Sequence, residues 1–224
     1  VSHKAIELAA NWRGEAEPSR VVDAAIEHLI DGSTSAGRFL RGLSTVELAE
    51  LRSGAVARVT AFEECFPPLR SRWRPVLEGR LRAELAGGAV VLVGRPDLTL
   101  GSPARGGKVM IDLKSGHRDP SHAADLQFYA LLDALRLGVA PRRVATVYLD
   151  RGRPDVDDVT PDSLLAAADR AATAITRMVD LRWGNRAPEL RSGPHCRWCP
   201  VRSACMAGLE WERADDGDED SAAA

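Results

Sequence analysis

A chain of 224 residues, 45% hydrophobic and 28% charged, has room for one domain with a substantial core, or one domain plus an appendage, and reads as globular rather than disordered or fibrous. Its net charge of −2 gives no global attraction for nucleic acid, so any such contact has to come from a local basic patch. No apolar run approaches the ~20 residues of a membrane span and none reads as a secretory leader, so the expectation is a cytoplasmic protein without a membrane partner; the initial valine predicts a non-standard start or missing upstream sequence.

In chain order, Val1 to Ala10 reads as a helix with Ala5, Leu8 and Ala9 facing inward, and it carries His3. Val21 to Ile30 is a second amphipathic helix, on which His28 is an ordinary face residue, and Asp31 to Gly37 is a loop by composition. Thr45 to Phe62 is a third helix, capped by Ser44 or Thr45 with Glu47 close behind, and Pro67-Pro68 ends it. Leu69 to Leu85 reads as a further helix on which Arg70, Arg72, Arg74, Arg80 and Arg82 surround Trp73. Such a group suits a phosphate backbone and a stacked base, with Arg72, Arg74 and Arg80 as candidate DNA contacts; a solvated helix face has the same composition. Glu78 has Arg82 at i+4 as an ordinary surface partner.

The stretch from Val90 to Gly116 carries the chemistry. Two apolar, β-branched runs each deliver a carboxylate, Asp97 and Asp112, and the second delivers Lys114 two places later. Carboxylates in hydrophobic strands need a positive charge in their site, so two converging on one hairpin predict a divalent metal. Strand alternation puts Asp112 and Lys114 on one side and offers the Leu113 carbonyl at the edge. Asp97, Asp112 and that carbonyl are hard oxygens, suited to Mg²⁺ or Mn²⁺ rather than zinc.

Beyond it, Ser121 to Leu137 has a clean helical period, with Asp125 and Tyr129 on one face and Gln127 pointing elsewhere. Arg143 to Asp150 is a strand expected beside the Asp112 strand, and Pro154 to Thr160 is an acidic loop. A helix capped by Thr160 runs to about Val179. Cys196, Cys199 and Cys205 then follow a Cys-x2-Cys-x5-Cys spacing, which brings thiolates together for a metal that a fourth ligand would complete. An iron–sulfur cluster, a structural zinc using His195, and unmetallated thiols all stand as readings. Residues 211–224 form an acidic tail expected to be disordered.

Arg95-Pro96-Asp97 followed by Ile111-Asp112-Leu113-Lys114 resembles the PD-(D/E)XK nuclease superfamily, and the order of motifs resembles its RecB-like branch. The resemblance implies an α/β, restriction-endonuclease-like mixed central sheet flanked by helices, with helical N-terminal additions and a cysteine-bound C-terminal segment. By it, residues 1–210 are one nuclease domain with a catalytic core at about 70–150 and a cysteine segment at 194–206. It also implies His3 as a metal ligand, as against an exposed terminal histidine, and Glu78 as an acidic residue near the metal. Tyr129 matches the branch's Gln-x-x-x-Tyr helix, except that Asp125 stands where the glutamine belongs. The cysteine spacing resembles the iron–sulfur fastener of AddB-like, CRISPR-adaptation and exonuclease V relatives, with Cys65 or a missing N-terminal residue as fourth ligand.

The implied function is Mg²⁺- or Mn²⁺-dependent hydrolysis of DNA, at a single-stranded end and in repair or processing. No phosphate-binding loop of the Gly-x4-Gly-Lys-Ser/Thr type occurs, so a helicase partner would be a separate chain. Two other classes compete. A non-catalytic DNA-binding scaffold of the same fold should have lost a carboxylate or the lysine. A zinc-binding module would explain the cysteines and leave the buried carboxylates unexplained.

Overall fold

The elements that open the chain are helices whose ends follow local chemistry: α1 (Ser2–Asn11), α2 (Pro18–Asp31), α3 (Ser35–Gly42) and α4 (Thr45–Cys65). Pro18 sits in the first turn of α2, where its missing N–H costs nothing. Ser44 and Glu47 cap α4 reciprocally. The expected loop at 31–37 is shorter than its composition suggests, because Thr34 accepts a hydrogen bond from Gly37 N at 3.2 Å and starts α3 inside it. The computed structural model describes residues 1–12, 17–66, 69–102, 107–116 and 118–222, so Pro67-Pro68, expected to end α4, lie outside the described residues.

The expected helix over Leu69 to Leu85 is not formed. A single 3₁₀ turn (Ser71–Trp73) leads into β1 (Val76–Leu77) and β2 (Leu81–Leu85). Leu69, Trp73, Leu77, Leu81 and Leu85 recur at helical spacing, but Pro75 and Gly79 interrupt them, and Arg74 and Glu78 take left-handed backbone at φ 49° and 52°. Leu81 and Ala83 then alternate with exposed residues, the period of a half-buried strand.

The apolar run from Val90 also divides. β3 (Val90–Gly94) pairs antiparallel with β2, while β4 (Leu98–Ser102) pairs antiparallel with β5 (Gly107–Lys114). After α5 (Ser121–Leu137), β6 (Arg143–Tyr148) lies parallel to β5, as a helical crossover allows. The acidic stretch expected to be a loop is β7 (Arg153–Asp158), antiparallel to β6. Only Val156 in it is apolar, so pairing with β6 rather than its own composition makes it a strand, and its charges suit a sheet edge. The five-stranded sheet runs β1-β4-β5-β6-β7, and β2-β3 forms a separate ribbon.

Alternation along β5 divides two cores. Ile111 and Leu113, with Ala145 and Val147 of β6, pack on Ile6 of α1, Val22 of α2 and Val59 of α4. Met110 and Val144 face the other way, onto Leu126, Ala130 and Leu132 of α5 and Leu81 of β2. Asp112 and Lys114 belong to this second face. No described helix is long and apolar enough to cross a membrane.

The chain divides into two compact units, Val1–Ala172 and Thr173–Ala224, with α6 (Pro161–Trp183) running through the division. The Thr160 hydroxyl accepts from Ser163 N at 3.1 Å and starts α6 as expected. The second unit continues with 3₁₀ turns at Pro194–Trp198 and Arg202–Ala204 and ends in α7 (Met206–Ala222). That helix occupies the stretch expected to be a disordered tail. Leu209 N donating to the Cys205 carbonyl at 3.1 Å opens it.

Candidate active site

Asp97 is the last residue before β4, and Pro96 stiffens its approach. Glu78, just past β1, donates its N–H to the Asp97 carbonyl at 2.9 Å, which extends the β1–β4 ladder by one bond. Arg95 holds Glu78 from the side: its Nε lies 3.1 Å from the Glu78 carbonyl and 2.8 Å from Oε2. Glu78 therefore does not make the surface pair with Arg82 that its spacing offers; Arg82 pairs with Glu84 instead.

Asp97 reaches across to β5, where its Oδ2 accepts from Leu113 N at 2.6 Å. His3 arrives from α1, with Nε2 2.8 Å from the Leu113 carbonyl and 3.9 Å from Asp97 Oδ2. A carbonyl can only accept, so Nε2 carries the hydrogen in this arrangement. Asp112 is 4% exposed. Its Oδ2 lies 2.7 Å from Lys114 Nζ, so the buried carboxylate is ion-paired with the ammonium two residues on. Lys114 Nζ is also 3.7 Å from Asp125 Oδ2, one turn of α5 before Tyr129.

Burial raises the Asp97 carboxyl from 3.8 to about 6; the neighbouring Asp112 and Glu78 charges push the same way, and His3 and the Leu113 N–H oppose. Burial works against the Lys114 ammonium, but contact with Asp112 and the Asp125 charge outweigh it and hold its pKa above the usual lysine value. Burial first, then the Asp112 and Asp125 charges, raise the Tyr129 phenol. The site is thus a negative pocket carrying one ammonium.

The structure brings together His3, Glu78, Asp97, Asp112, the Leu113 carbonyl, Lys114, Asp125 and Tyr129. Gln127 turns away, accepting from Arg170 of α6 at 2.6 Å. Arg70 and Arg72 lie over the Trp73 ring at 5.9 and 5.8 Å, and Arg72, Arg74 and Arg80 are exposed on the segment that also carries Glu78. Arg95 is the functional neighbour that sequence reasoning passed over. Its signal was its place in the Arg-Pro-Asp motif.

The donor set fits a hard divalent cation: two carboxylates, one of them buried, and a backbone carbonyl. Among the described residues no three His, Cys, Asp or Glu side chains form a ready-made metal group. Mg²⁺ does not require one, since it keeps several waters and takes one or two carboxylates plus substrate phosphate. A thiolate-bound cluster or structural zinc takes four ligands, and among the described residues the cysteines do not form a ready-made group of that kind. In the second unit Cys196 is buried, and a Cβ placed on Gly208 would lie 3.7 Å from its Sγ and 3.8 Å from Cys205 Cβ. His195 Nε2 is engaged by the Arg191 carbonyl at 2.8 Å, and Cys65 belongs to the first unit at the end of α4.

A family model for the PD-(D/E)XK nuclease superfamily matches residues 1–206. No curated protein matches the chain. Among solved structures, SSO0001 is similar with a TM-score of 0.41 at 15% identity, over 92% of this chain and 94% of that one. The structure of a "Putative exonuclease" from Eubacterium rectale is similar with a TM-score of 0.45 at 14% identity, over 88% of this chain and 78% of that one. The mixed five-stranded sheet between helices is the restriction-endonuclease-like arrangement. With the family model spanning nearly the whole chain, and with Asp97, Asp112 and Lys114 at the junction of β4 and β5, the chain belongs to the PD-(D/E)XK nuclease superfamily.

Proposed function

We propose that this protein is a Mg²⁺- or Mn²⁺-dependent deoxyribonuclease of the RecB-like branch, acting on DNA with a single-stranded end during repair or processing. The observation that carries the reading is the meeting of Asp97, Asp112, the Leu113 carbonyl and Lys114, with Asp112 buried and Lys114 Nζ 2.7 Å from its Oδ2. A cation held there lowers the pKa of water and offsets charge on the reacting phosphate. Asp97 and Asp112 would hold it by their negative charge, with the Leu113 carbonyl as a third oxygen.

Lys114 Nζ, held between Asp112 and Asp125, is placed to donate to the attacking water or to a phosphoryl oxygen and to steady the charge that develops there. His3 joins the ligand set only if its proton moves to Nδ1, because Nε2 now donates to Leu113 O. Glu78, steadied by Arg95, and Tyr129 border the reacting phosphate, while Arg72, Arg74 and Arg80 grip the backbone further out. A helicase on a separate chain is the partner that such a nuclease suits. The cysteine segment is proposed as a separate soft-metal site, an iron–sulfur cluster or zinc on Cys196, Cys199 and Cys205 that a further ligand completes, and no step of the hydrolysis runs through it.

The experiment is cleavage of an end-labelled single strand with Mn²⁺ or EDTA. Asp112→Ala and Lys114→Ala should each lose at least about a hundredfold in rate while keeping the wild-type circular dichroism spectrum. Undiminished cleavage in both variants removes the nuclease from this site.

A further inference from the structure

A cleft of about 400 Å³ opens beside the proposed site, lined in part by Arg118, Pro120, Thr146, Tyr148, Asp155 and Asp157. Sheet register places it on the face that carries Asp112: Asp112 is paired with Thr146 and Thr146 with Asp155, while Lys114 is paired with Tyr148. At about 4.8 Å per strand, Thr146 is one strand and Asp155 two strands, roughly 10 Å, from the carboxylate. A strand whose phosphate lies at Asp112 thus has this cleft within about two strand spacings.

We propose that the cleft holds one unstacked nucleobase of that strand and prefers a base bearing an exocyclic amino group, which rests on the nuclease reading for its neighbouring phosphate. Charge argues against a phosphate in the cleft. Arg118 is the single cation among the described lining residues, and Asp155 occupies it at 2.9 Å. The Asp157 side chain has no ion pair or hydrogen bond among the described residues, so its carboxylate repels an anion and is free to accept.

The walls suit a flat, amino-bearing ring. Asp155 locks the Arg118 guanidinium, and the Tyr148 ring is fixed through its hydroxyl, 3.1 Å from His122 Nδ1. Unstacked bases rest on such planar groups and offer their edges to acceptors. A carboxylate accepts from the cytosine amino group, whereas thymine presents a carbonyl oxygen at the same position. A base paired in a duplex cannot enter, so the substrate is single-stranded where it meets the site.

The test measures binding of short fluorescein-labelled oligo-dC and oligo-dT to the full chain in EDTA, and Mn²⁺-dependent cleavage of the same oligonucleotides. Wild type should bind oligo-dC roughly tenfold more tightly than oligo-dT, as expected for one hydrogen bond to a charged acceptor. Asp157→Asn should bring the ratio to about one. Removal of a repulsive charge alone would strengthen both complexes equally and leave the ratio intact, so the ratio separates base contact from general electrostatics. Arg118→Ala, which removes one wall, should weaken both oligonucleotides. Equal binding of the two by wild type, or an unchanged ratio in Asp157→Asn, overturns the base cleft. Absence of cleavage with the ratio present overturns the nuclease reading and leaves the cleft standing.

Discussion

Asp97 shows how burial sets the chemistry of a single side chain. Its folded-state pKa of about 6 stands above the ordinary 3.8, so the metal-free folded protein keeps a proton that the unfolded chain has released. The stabilising contribution is full below the ordinary value and is lost as pH rises through about 6. A cation reverses the preference, because it binds only the carboxylate: Mn²⁺ affinity should rise with pH up to about 6 and then level off. In EDTA, urea unfolding should find Asp97→Asn less stable than wild type or equal to it at acid pH and gaining on it towards neutrality. Mn²⁺ binding by the variant should be lost at both. A stability difference that does not move across this window contradicts the assignment.

Helix α5 does several jobs that its apolar period does not announce. Its Asp133 is fully buried against Lys108 of β5, with Nζ 2.7 Å from both carboxylate oxygens. Asp133→Leu alone should cost about 3–5 kcal/mol in urea unfolding, because it strands a buried ammonium. The pair Lys108→Met with Asp133→Leu should recover most of that loss; a double variant as unstable as the single one refutes the explanation.

The opposite end of α5 presents Asp125 to Lys114. Asp125→Gln keeps a polar group there and should retain cleavage within a few-fold. Asp125→Lys should suppress it by setting a second cation against the metal. Equal rates in wild type and both variants would show that position 125 does not bear on the site.

At the scale of the whole molecule, the two proposed metal sites lie in chemically different parts of the chain, hard oxygens in the first unit and thiols mostly in the second. EDTA should therefore stop cleavage reversibly without unfolding, since the oxygen site holds a labile ion. Cys199→Ser should leave the oxygen site's Mn²⁺ binding intact and remove any iron or zinc that copurifies anaerobically. Wild-type protein that contains neither metal refutes the cluster.

Local chemistry in the sequence was enough for the starts of α4 and α6, the span of α5, and the strand identity of residues 107–114, because caps and periodicity act over a few residues. The Asp97, Asp112 and Lys114 constellation was legible for the same reason: carboxylates and a lysine in apolar runs stand out wherever they finally sit. The tertiary structure alone decided that Leu69 to Leu85 is two short strands and that the acidic 153–158 segment is one. Both segments take their conformation from partners distant in sequence, and neither carries a local pattern strong enough to resist them. It also decided that Arg95 steadies Glu78, that Asp133 buries Lys108, and that Thr146, Tyr148 and Asp155 share a face with Asp112. Register and burial join those residues across the sheet, and a one-dimensional pattern does not encode which strands will be neighbours.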